Sequence, residues 1–124
     1  MKKGSTFAFL LESFFTDRLM KQKGASSNTI ASYRDSFRLL FEFAQKQLKK
    51  SPTGLTIDDL DAPFIGAFLD YLENKRKNGR SSRNLRLSAI RSFFKYVALE
   101  EPGKAAHIEQ ILAIPKKRET KTLN

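Results

Sequence analysis

A chain of 124 residues with a net charge of +10 and 40% hydrophobic residues can bury one core, and it is basic enough to favour a polyanionic partner. It has no cysteine, which excludes a disulfide scaffold, a thiolate metal site and thiol catalysis. No apolar run approaches the roughly 18 residues of a membrane span, and Glu12 and Asp17 interrupt "MKKGSTFAFLLESFFTDRL", which therefore reads as an amphipathic helix and not as a signal peptide.

Phe7, Leu10, Leu11, Phe14 and Phe15 recur at helical spacing and predict a first helix from about Thr6 to Lys23, capped by Ser5 or Thr6 and stopped by Gly24. A second helix starts near Ser27, with Ile30, Tyr33, Phe37, Leu40, Phe41, Ala44 and Leu48 as its apolar stripe. Lys49 and Lys50 suit its C-terminal end. After the loop "SPTG", Asp58, Asp59 and Asp61 gather at the start of a third helix, and Pro63 suits its first position. That helix is expected to run to about Lys77 with Ile65, Phe68, Leu69 and Leu72 inward, and to end at Gly79.

The fourth helix is expected from Ser81 or Ser82 to about Leu99, and "EEPG" breaks the chain after it. A short fifth helix fits residues 104–113, through Ile108, Ile111 and Leu112. No segment alternates as a strand would. The expected fold is all-α: a compact bundle of four long helices plus a short fifth. Residues 1–114 would form the domain and 115–124 a basic linker, extended or mobile.

Charge is unevenly distributed along this order. Residues 51–74 hold five acidic groups and no basic one, whereas residues 75–98 hold eight basic groups and no acidic one. Such segregation suggests a cationic side and a side turned away from the polyanion. On the fourth helix, Leu87, Ile90, Phe94 and Val97 face inward with Phe93 and Ala98 at the edges, and Asn84, Ser88, Arg91 and Lys95 form an outward row. Ser27, Ala31, Arg34 and Arg38 repeat that spacing on the second helix. Arginine and lysine reach phosphates, and Asn, Ser and Arg also read base edges in a major groove wide enough for a helix.

The helix starts "ASSNT" and "RSSRN" add free N–H groups, with Ser82 at the second start and Arg80 and Arg83 flanking it where a phosphate would sit. Arg86 borders the core. A serine at a helix start is ordinarily only a cap, and a lone surface arginine is ordinarily only solvated. Two matched rows and a long acid-free stretch favour contact with double-stranded DNA over those plainer accounts.

Catalytic patterns are missing from the sequence. His107 is the only histidine and fits a surface or packing role. Tyr33 lies on an apolar stripe, Tyr71 and Tyr96 sit in helices, and Asp58, Asp59 and Asp61 lack the spacing of a calcium loop. The six glycines form no phosphate loop. No enzyme activity, cofactor, metal, small-molecule substrate or membrane is expected for these residues.

"SSNTIASYRDSFRLLFEFA" resembles the second-helix entry of tyrosine recombinases, the phage integrases, with Thr29 and Tyr33 in matching places. "SSRNLRLSAIRSFFKYVALEEP" is similar to that family's fourth helix at Asn84, Leu87, Ser88, Ala89, Arg91, Phe93 and Phe94, although Leu85 stands where many members carry a basic residue. "ILAIPKKRETKTLN" is similar to the connector before the family's catalytic domain, which brings in Lys116 and Lys117 as further DNA contacts.

The resemblance implies a SAM-like core-binding domain that covers one face of a recombination-site duplex while a catalytic domain closes over the other. It also implies partner protomers in a synaptic complex and a cytoplasmic, nucleoid-associated setting. The family's catalytic Arg, Lys, His-x-x-Arg pair, His or Trp, and nucleophilic Tyr would lie in that second domain. Two other classes fit the residues less fully: a helix-turn-helix regulator using "KNGRSS" as its turn, and a helical protein-interaction module.

Overall fold

The computed structural model describes residues 6–74 and 79–118. Helix α1 spans Phe7–Ser13, and the same rod continues as a wider π-wound segment over Phe14–Gln22. Thr6 caps it, its hydroxyl accepting from the Phe9 N–H at 3.1 Å, while Ser5 lies outside the described residues. Gly24 ends the rod at φ +55°, a left-handed conformation that favours glycine.

Helix α2 spans Ser27–Leu48 and is capped by Ser26, whose hydroxyl accepts from the Thr29 N–H at 3.1 Å. Short 3-10 turns at Pro52–Gly54 and Ile57–Asp59 then lead to α3, Ala62–Asn74. The three clustered aspartates hold this connection together. Asp59 and Thr56 form a reciprocal capping box, Asp61 accepts from the Phe64 N–H at 2.9 Å, and Asp58 pairs with Lys104 at 3.0 Å. Pro63 is the second residue of α3, one place later than expected. The expected end of α3 near Lys77 falls outside the described residues.

Helix α4 spans Arg80–Glu100, and a 3-10 turn at Pro102–Lys104 leads into α5, Ala105–Leu112. Among the described residues there is no strand.

Helix α4 is the axis of the bundle, touching the π-wound rod, α2, α3 and α5. Phe93, expected at the edge of its apolar face, is fully buried at the centre of an aromatic cluster. Its ring meets those of Phe7, Phe14, Phe37 and Phe94 edge to face, with centroids 5.1 to 5.6 Å apart. Phe43 anchors a second cluster with Phe64, Phe68 and Tyr71. Tyr33 stacks on Phe14, and Tyr96 is buried beside the same ring. The α3 residues Ile65, Phe68, Leu69 and Leu72 are all fully buried, as their spacing predicts.

Polar ties lock the helices in register. Arg86 reaches from α4 to α2, donating to Asp35 Oδ2 at 3.0 Å, Ser36 Oγ at 3.1 Å and the Ser32 carbonyl at 3.3 Å. His107 Nε2 lies 3.0 Å from the Ile57 carbonyl and 3.2 Å from that of Leu60. Both neighbours are acceptors, so Nε2 carries the proton and His107 packs α5 onto the turn before α3.

Candidate nucleic-acid interface

Burial divides the basic face of α4 differently from the expected row. The most exposed arc runs through Ser81, Leu85, Ser88, Ser92, Lys95 and Leu99, at spacing i, i+4, i+7, i+11, i+14, i+18. Ser88 and Lys95 belong to this arc, and Arg91 lies half-buried on its flank. Among the described residues neither Arg91 nor Lys95 has an acidic partner within 4 Å.

Ser82 is half-buried and Ser81 is exposed, but neither is a cap. Helix α4 already begins at Arg80, with Gly79 in the capping position and no side-chain cap. Both serines are therefore first-turn residues.

Two expected contacts are corrected. Arg83 is 6% exposed, because it sits four, seven and eleven residues before Leu87, Ile90 and Phe94, on the face that packs inward. Its Nε is buried 3.7 Å from Glu73 Oε1 without a hydrogen bond, and its Nη1 makes long contacts to Asn84 Oδ1 at 3.3 Å and the Pro115 carbonyl at 3.4 Å. Asn84 is also 6% exposed and does not point outward. Its Nδ2 donates to the Lys117 carbonyl at 2.7 Å, and its Oδ1 accepts from the Lys117 N–H at 2.9 Å.

Residues 114–118 form neither helix nor strand, and they lie against the start of α4. Arg80 Nη1 donates to the Arg118 carbonyl at 3.3 Å, and Lys117 Nζ donates to Glu73 Oε1 at 2.7 Å. That lysine, with the charges of Arg83 and Arg80 behind it, holds the Glu73 carboxyl below its usual range against the opposing effect of burial. Lys117 is thus committed to an internal pair. Lys116 is exposed and joins Ser81, Asn84, Leu85 and Ser88 around a shallow notch of about 250 Å³.

The α2 row is exposed but partly neutralised. Ser27 is the first residue of the helix and leaves capping to Ser26. Arg34 lays its guanidinium over the Phe15 ring, 5.4 Å from the centroid, at the rim of a groove of about 600 Å³ between the first rod and α2. Arg38 is bound by two carboxylates, Asp35 and Glu42, the latter at 2.9 Å. The hydrogen bond from Arg38, aided by the charges of Arg38 and Arg86, keeps Asp35 below the ordinary carboxylate range. Of the two rows, the α4 side with Lys116 keeps more uncommitted positive charge.

Sequence reasoning missed two contributors. Arg86 is a structural tie between α2 and α4, signalled only by its place beside the core face. The pairing of Asn84 with Lys117 joins residues 33 apart, and nothing in either segment alone announces it.

Among the described residues the fold is a helical bundle in which α4 and the segment after α5 gather basic side chains. Residues 12–101 match the family model "Phage integrase, N-terminal SAM-like domain", and the chain belongs to that family. It is 54% identical over 123 residues to the Sinorhizobium fredii protein y4rC, named as an integrase/recombinase; the match covers 99% of this chain and 37% of that relative. It is 48% identical to y4rD of the same strain, across 95% of this chain and 42% of the relative. The tyrosine recombinase XerC of Leptospira interrogans is 31% identical over 104 residues, covering 84% of this chain and 31% of its own. The chain therefore spans well under half the length of these relatives. No solved structure matches it significantly.

Proposed function

We propose that these residues are the DNA-binding domain of a site-specific tyrosine recombinase, which grips one side of the recombination-site duplex during integration and strand exchange. The observation that carries this reading is the cluster of Arg91, Lys95, Ser88, Ser81 and Lys116 on one side of α4, where Arg91, Lys95 and Lys116 have no acidic partner among the described residues. Arg80, Ser82, Ser27, Arg34 and Arg38 are assigned secondary contacts. Arg38 contributes least, because Asp35 and Glu42 already offset its charge. Lys117 and Arg83 act from behind, by holding the segment after α5.

The family supports the DNA partner, and the name of the XerC relative, a tyrosine recombinase, supports strand exchange. Catalysis would then belong to an Arg, Lys, His-x-x-Arg and Tyr set outside these 124 residues, and residues 115–124 would be the linker toward it. Neighbouring protomers in a synaptic complex and a bacterial cytoplasmic setting belong to the same proposal. Integrase-family membership takes the place of the helix-turn-helix reading.

Fluorescence anisotropy of a labelled duplex titrated with this chain tests the proposal. Binding should be measurable at low salt and fall linearly on a logarithmic scale as salt rises. No binding at low salt, or binding that salt leaves unchanged, overturns it.

A further inference from the structure

We infer that Asn84 is a positioning residue: its carboxamide clasps the backbone of Lys117, fixes the direction in which the chain leaves the helical bundle, and thereby places Lys116 in the α4 notch. A carboxamide is suited to this because it offers a donor and an acceptor side by side in one plane, as a peptide unit does. Here both are used on one residue, with Nδ2 donating to the Lys117 carbonyl at 2.7 Å and Oδ1 accepting from the Lys117 N–H at 2.9 Å. The amide orientation follows from the partners, since an inverted carboxamide would set donor against donor and acceptor against acceptor.

The surroundings reinforce the clasp from both sides. Arg83 reaches the Pro115 carbonyl, Arg80 reaches the Arg118 carbonyl, and Glu73 takes the Lys117 ammonium. Pro115, Lys117 and Arg118, in an exposed, non-helical segment, are thus held from three positions on α4 and one on α3. The Lys117 side chain runs to Glu73, whereas Lys116 lines the notch with Ser81, Leu85 and Ser88. Asn84, expected to read a base, instead keeps a neighbouring cation on the candidate interface.

The clasp is tested without DNA, by amide hydrogen exchange across residues 114–118 of this chain. The Lys117 amide should exchange about tenfold slower than those of Lys116 and Arg118, which have no such acceptor among the described residues, and Asn84→Ala should abolish the difference. Trypsin cleavage after Lys116, Lys117 and Arg118 should accelerate in that variant by a similar factor. If Asn84→Ala fails to fold, the exchange pattern of the unaltered chain still decides. A Lys117 amide exchanging as fast as its neighbours, or protection that survives Asn84→Ala, overturns the inference.

The consequence for DNA rests on the proposed function and is read separately, in a double-mutant cycle. Lys116→Ala should weaken duplex binding in the unaltered chain but change little in the Asn84→Ala background. Additive losses, with sequence discrimination altered by Asn84→Ala alone, would mean that Asn84 meets the bases and would overturn the positioning role.

Discussion

Neutralising Lys95 gives the sharpest test of which side faces DNA. Lys95 is exposed on the outward arc of α4, and among the described residues no carboxylate competes for it. A lysine that neutralises one phosphate contributes about 0.9 to the slope of log affinity against log salt. Lys95→Ala should therefore lower that slope by about 0.9. The affinity loss that follows is about eightfold at 0.1 M salt and about fourfold at 0.2 M, because the counterion-release advantage shrinks as salt rises. Arg91→Ala should behave alike.

Arg38→Ala should do less. Removing that guanidinium also frees Asp35 and Glu42, so the first-order change in paired charge is small before any repulsion from the two released acids. The assay is anisotropy of a labelled duplex across a salt series, with Lys2 and Lys3, which are not assigned to the proposed face, neutralised as the control. Equal slopes for the Lys95, Arg38 and Lys2/Lys3 variants would refute a specific face and leave only diffuse charge attraction.

Stability offers further tests. Phe93→Ala removes a fully buried ring that meets four other aromatic rings, and should cost about 3–5 kcal/mol, seen as a fall in Tm. Gly24→Ala should cost about 1 kcal/mol through backbone strain alone, since φ is +55° and no atom crowds the added methyl. Lys49 holds φ 58°, so Lys49→Gly should instead raise Tm. Asp35 and Glu73 both have folded pKa values below their ordinary ones, held there first by Arg38 and by Lys117 respectively. Their stabilisation is then complete above the unfolded values, about pH 4–5, and is lost as pH falls through the lower folded values. Tm should drop on acidification from about pH 5 to 3, and Asp35→Asn should flatten that drop; a Tm that rises on acidification would contradict the two pairs.

The helices were legible because their apolar spacing is dense: Phe7, Leu10 and Phe14 on the first, Phe37 and Leu40 on the second, and Ile65, Phe68, Leu69 and Leu72 on the third all point into the core. Two misplacements on α4 have different causes. The burial of Arg83 was available in the spacing, since it shares a face with Leu87 and Ile90, but its charge argued for the surface. The burial of Asn84 was not available, since it depends on where residues 115–118 run after α5, a tertiary fact that no local period encodes. Central packing also widens the buried face of α4 to include Ala89, Phe93 and Tyr96, beyond what one amphipathic stripe predicts.

The segregation of charge along the chain has a structural use that the sequence alone casts as a back face. Of the five acidic groups in residues 51–74, Asp58 pairs with Lys104, Asp59 with Lys50, Asp61 caps α3, and Glu73 takes Lys117 and stands beside Arg83. Lys50, Lys104 and Lys117 come from segments before and after this one, so its carboxylates fasten α2, the turn before α5 and the segment after α5 to the bundle. Each fastening removes a lysine from the count free to meet a phosphate. What remains without a carboxylate partner among the described basic residues of α4 is Arg80, Arg91 and Lys95, joined from outside the helix by Lys116. The acidic stretch thus selects which cations stay available, and the net charge of +10 overstates the number that could grip DNA. A modest salt slope, set by these few cations and not by all 23 basic residues, is the behaviour this arrangement requires.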